Sequence, residues 1–104
     1  MDKKQNWIVA VCCSEGDGVC IFRVNGTKDQ VKEYLANMAS NDLLNEYESV
    51  EEAIEEYGNW CTTKAEDVNE SSDGKELNAY GTYSDYHIDY TARLEDDVRV
   101  EKLK

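Results

Sequence analysis

Apolar residues fill seven consecutive positions, Trp7 to Cys13, and return at five of the six positions from 19 to 24. Only Ser14-Glu15-Gly16-Asp17-Gly18 separates the two runs. Two β-type runs around a short loop with two glycines predict a hairpin. Pairing Cys13 with Val19 places Ile8, Ala10, Cys12, Cys20, Phe22 and Val24 on one face. The opposite face then holds Trp7, Val9, Val11, Cys13, Val19, Ile21 and Arg23. Both faces are largely apolar, more than a sheet with one solvated side needs, so a second layer or another molecule is expected behind the hairpin.

After Asn25-Gly26 the period changes. Thr27 and Gln30 have the spacing of a capping box, and Val31, Tyr34, Leu35 and Met38 follow at i, i+3, i+4 and i+7. That pattern predicts an amphipathic helix ending near Ser40-Asn41. Ser49 and Glu52 repeat the capping box, with Val50, Ala53, Ile54 and Tyr57 as an apolar stripe and Gly58 as the stop, so a second short helix is expected. Leu43-Leu44, between the two, is expected to pack inward.

Strand-like runs resume at residues 60–68, 76–83 and 86–94, with residues 69–74 as a loop and Val98 and Val100 as a short edge strand or packed tail. In the last run Tyr86, Ile88, Tyr90, Ala92 and Leu94 alternate with His87, Asp89, Thr91 and Arg93. The order ββααβββ, without βαβ alternation, predicts an α+β fold: an antiparallel sheet of four to five strands with two helices packed on one face. The 104 residues fit a single domain, 1–104.

Charge adds a functional hint. The chain has 23 acidic and 11 basic residues, a net charge of −12, distributed unevenly. Residues 1–32 carry five basic and four acidic groups, whereas residues 33–63 contain eight acids and neither Lys nor Arg. Glu51 and Glu52 suit the positive end of the second helix, but Glu55 and Glu56 fall near its negative end with no lysine four residues on, so helix stability does not account for them. Glu48, Glu51, Glu52, Glu55 and Glu56 form a candidate face for a basic protein partner, one that would imitate nucleic-acid phosphates; the same charge also serves to keep a small domain in solution. Direct binding to DNA or RNA is disfavoured, because no basic stripe exists.

The cysteines, Cys12, Cys13, Cys20 and Cys61, include no CxxC pair and are expected to be buried thiols, with Cys12 and Cys20 as cross-strand neighbours. The run 7–13 is read as a buried strand rather than an export signal, since it is short and polar residues follow at once; the cytoplasm is the expected compartment, with no membrane partner.

The alternative chemistry lies in Asp85, His87 and Asp89, which strand alternation puts on one face, where a small ligand or a divalent metal could be held. Residues two apart on a strand advance about 3.3 Å each, so all three converge on one ion only if the strand bends. Nothing resembles a nucleophile elbow, a phosphate-binding loop or a dinucleotide fingerprint, so no catalytic residue and no cofactor is assigned. A homodimer covering Trp7, Val9, Val11 and Ile21 is the third reading, which explains the second apolar hairpin face.

The wording Tyr80-Gly81-Thr82-Tyr83-Ser84-Asp85-Tyr86-His87-Ile88-Asp89-Tyr90-Thr91-Ala92, together with the helix start Asn25-Gly26-Thr27-Lys28, resembles a family of short acidic proteins of gut Firmicutes and their mobile elements. The resemblance covers about half of the chain. It implies a bacterial cytoplasmic protein, carries no activity with it, and assigns no site residue.

Overall fold

The computed structural model describes residues 3–13, 19–44, 48–49, 51–52, 55, 64–82 and 87–103. Five strands and one long helix follow one another: β1 (Gln5–Cys13), β2 (Val19–Gly26), α1 (Lys28–Leu44), β3 (Asn69–Glu70), β4 (Glu76–Thr82) and β5 (His87–Leu94). The 3-10 turns Ala65–Asp67 and Glu95–Asp97 lie before β3 and after β5. The strands make one antiparallel sheet in the order β2-β1-β5-β4-β3. The class is therefore α+β.

The register explains which face is buried. Trp7 lies opposite Val24 on one side and Leu94 on the other, and Val9 opposite Phe22 and Ala92. Across β5, Ala92 lies opposite Leu77 and Tyr90 opposite Ala79. One sheet face is thus apolar through four strands, and it meets Val31, Leu35, Ala36 and Ala39 of α1 in a single core cluster. Small side chains on both surfaces, Ala36 and Ala39 above and Ala79 and Ala92 below, let the helix lie close to the sheet, while Trp7, Leu35, Leu77 and Tyr90 fill the volume between. The indole Nε1 of Trp7 donates to the Gly26 carbonyl at 3.3 Å. The Tyr90 hydroxyl, equally buried, has no hydrogen-bond partner among the described residues.

The predicted hairpin is present but its register is corrected by one residue: Cys12, not Cys13, lies opposite Val19. A slip of one exchanges the faces of one strand relative to the other. The expected pairing would have put Arg23 beside Trp7 beneath the helix; the observed one puts Phe22 and Val24 there and Arg23 opposite Ile8 on the outer face. Cys12 and Cys20 consequently lie on opposite faces rather than side by side. Cys12 and Cys20 are exposed and Cys13 half-buried, all three as free thiols, so the expectation of buried cysteines is corrected for the first two.

The capping box that starts α1 is complete. Gln30 N–H donates to Thr27 Oγ1 at 3.2 Å, and Thr27 N–H donates to Gln30 Oε1 at 2.9 Å. The helix runs past the expected stop at Ser40-Asn41 to Leu44, because the sequence contains no proline and no glycine between Gly26 and Gly58. Of the second expected helix, only Glu51, Glu52 and Glu55 are described, each in helical conformation; its packing against the sheet lies outside the described residues.

The strand expected at 60–68 is replaced, over its described part, by the turn Ala65–Asp67, and the expected loop instead contains the two-residue strand β3. Val98 and Val100 form neither a strand nor a packed tail: residues 98–103 run exposed, Val100 at 83% and Leu103 at 94%. No described helix is long and apolar enough to cross a membrane.

Candidate functional site

The acidic stretch begins at a helix cap. Ser49 Oγ accepts the Glu52 N–H at 3.0 Å, one half of the predicted capping box, which fixes the helical start of Glu51 and Glu52. Glu51 and Glu55 stand four residues apart, and so on one side of a helix. Glu52 is helical beside them, and Glu48 lies in a bend just before the Ser49 cap, next to the helical residues rather than on their surface. All four are exposed, and none forms an ion pair with a described cation. Glu56 lies outside the described residues.

Acids elsewhere are treated differently. Glu70, on β3, receives Lys32 Nζ at 2.8 Å and Lys28 Nζ at 3.1 Å, both from the first turns of α1. The hydrogen bonds from Lys32 and then Lys28 hold its carboxyl below the usual glutamate range. Arg93 reaches Asp97 at 2.6 Å and Glu76 at 3.5 Å, and Lys75 approaches Asp97 at 3.6 Å. Arg23 pairs with Glu95 at 2.6 Å. In the turn between β3 and β4, Asp73 Oδ1 accepts the Ser71 hydroxyl at 2.6 Å and the Lys75 N–H at 3.1 Å, which lowers its pKa in the same way, the Ser71 bond first. Other exposed acids without a described cation, such as Glu33, Glu66, Asp67 and Asp96, stand singly or in twos.

His87 and Asp89 share the outer face of β5, as alternation predicts, with Nε2 and Oδ2 2.8 Å apart. Asp85, the third expected ligand, lies outside the described residues. Among the described residues no three His, Cys, Asp or Glu side chains gather as a metal site would require. Three clefts between described residues, of 280, 250 and 380 Å³, are at or near the lower end of the range that small-molecule sites occupy, and neither His87 nor Asp89 lines any of them.

The expected self-association face is divided by the sheet. Trp7 and Val9 are fully buried beneath α1 and Val11 is half-buried on the same side. Ile21 is 67% exposed on the opposite side, beside Val19 at 56%. One face holding all four does not exist, because the corrected register separates Ile21 from Trp7.

The clamp of Lys28 and Lys32 on Glu70 was not anticipated from the sequence. Its signal was available in part: two lysines four residues apart share one helix side, and an acid placed between them relieves their mutual repulsion. Which acid it would be depends on a strand of two residues, far away in sequence. No model of a known protein family, no curated protein and no solved structure matches this chain.

Proposed function

We propose that the chain is a non-catalytic interaction module that takes a basic protein surface on Glu48, Glu51, Glu52, Glu55 and Glu56. The observation supporting this reading is the contrast in charge compensation: acids around the sheet are held by Lys28, Lys32, Lys75, Arg23 and Arg93, while the exposed acids at 48–55 have no described cation. Carboxylates that no internal cation occupies keep their full attraction for an external one. The chain's net charge of −12 extends that attraction beyond contact distance and makes it sensitive to salt. A nucleic-acid-binding protein is one such partner, its phosphate site being filled by carboxylates in place of phosphates.

Two variants with the same change in net charge separate location from total charge. Glu48, Glu51, Glu52 and Glu55 are all changed to Lys in one; exposed Glu33, Glu66, Asp67 and Asp96 are changed to Lys in the other. Against a fluorescent oligo-lysine peptide, the first is expected to lose about tenfold in affinity, roughly 1.4 kcal/mol, and the second less than about threefold. Equal losses would show that only total charge matters and would overturn the reading.

A further inference from the structure

The two margins of the sheet are built differently. At one, β3 is two residues long and Glu70 on it is clamped by Lys28 and Lys32. At the other, β2 presents eight residues, and no described strand pairs with its outer edge. Proteins ordinarily blunt a long edge with lysine, proline, an inward charge or a bulge. β2 contains no lysine, no proline and no acid, and its ladder with β1 runs without a bulge from Gln5 opposite Gly26 to Cys12 opposite Val19. Its one charged side chain, Arg23, pairs across the sheet with Glu95, which follows β5 and so lies on the side away from the open edge. Ile21 and Val19 are exposed on the outer face of this strand, and Cys20 is exposed on the other.

We infer that β2 pairs antiparallel with β2 of a second copy of this chain, joining two five-stranded sheets into one about a two-fold axis. Charge selects this occupant. Residues 1–32 carry five basic and four acidic groups, so the hairpin is the near-neutral part of a chain whose net charge is −12. Edge-to-edge pairing brings the two hairpins together, while β4 and β3, with Glu76 and Glu70, sit at the far ends of the joined sheet. In a pairing centred on Ile21, that residue meets its own copy, Val19 faces Arg23 and Cys20 faces Phe22, so no like charges stand opposite each other. A strand without acids offers nothing to a basic peptide, and a single, already paired arginine offers little to an acidic one.

A pairing centred on Ile21 engages Val19 to Arg23 on each strand, and these residues at about 3.4 Å each give a shared edge roughly 17 Å long. A contact that narrow falls at the small end of interface sizes, so the dimer is expected to form in the micromolar range or weaker and to depend on concentration. Sedimentation velocity of the full chain, kept reduced, from about 5 to about 500 µM tests it. The unaltered chain is expected to pass from monomer to dimer over that range. Ile21→Lys and Val19→Lys, at exposed positions, are expected to keep the same thermal melting curve and to weaken the dimer at least about tenfold. Hydrogen exchange at high concentration is expected to slow at β2 amides in the unaltered chain and not in the lysine variants. A chain that remains monomeric throughout overturns the inference, and so does a dimer that persists in both variants. The inference is independent of the acidic stretch, whose four-lysine variant should dimerise through β2 as the unaltered chain does.

Discussion

Glu70 and Glu55 are both exposed glutamates of one acidic chain, yet their surroundings differ in kind. Glu70 sits where a short strand meets the first turns of α1, within 3.1 Å of two lysine nitrogens. Glu55, like Glu51 four residues before it, is in helical conformation, with no described cation beside either. The first acid has a task within the fold, joining β3 to the helix that covers the sheet. The second opposes local helix stability, because Glu51 and Glu55 repel across one turn. A net charge of −12 therefore conceals two populations of acids: those the fold uses and those it leaves to solvent or a partner.

The largest disturbance to the first population is expected from the turn that presents Glu70. Gly74 has φ +70°, and a Cβ there would lie 2.7 Å from Lys28 Nζ and 3.2 Å from Glu70 Oε2. Gly74→Ala is thus expected to cost about 1 kcal/mol or more from backbone strain, and to displace the Lys28 end of the clamp as well. Thermal unfolding checks the loss. Lys28→Met, which removes the Lys28 end of the clamp and leaves Lys32 and the turn in place, should reproduce only the smaller part.

Glutamine substitutions then sharpen the comparison through their opposite signs. Glu70 has its folded-state pKa lowered, so its contribution to stability is fully present above the ordinary value of 4.5 and is lost as pH falls through the lowered one. Glu70→Gln should melt below the unaltered chain at pH 7, and the gap should close as the solution is acidified past the glutamate range. Glu55→Gln removes a repulsion instead, and is expected to raise stability by a few tenths of a kcal/mol at pH 7 in low salt. A lower melting temperature for Glu55→Gln would mean that Glu55 has a structural partner and belongs with Glu70.

What the sequence revealed follows the range of the interactions involved. The start of α1 was readable because Thr27 and Gln30 satisfy each other's backbone within four residues, and the shared face of His87 and Asp89 because strand alternation is local. The hairpin was readable but its register was not: loop length alone favoured pairing Cys13 with Val19. The burial of Phe22 and Val24 beside Trp7 and Val9, decided by a helix that comes later in the chain, set it one residue away. β3 is an Asn-Glu pair with no strand propensity of its own, ordered by β4 beside it and by two lysines from α1. The acidic stretch was visible as composition, but its distinction from other acids was not, since that depends on which cations the fold delivers to which carboxylates.

The division of the acids is tested most directly by amide and side-chain chemical shifts followed by NMR as an oligo-lysine peptide is titrated into the full chain at low salt. Shifts are expected to concentrate at Glu48, Glu51, Glu52, Glu55 and Glu56, with Glu70, Glu95 and Asp97 little moved because cations already occupy them. Shifts of equal size at the paired and unpaired acids, or larger ones at Glu70 and Asp97, would contradict it.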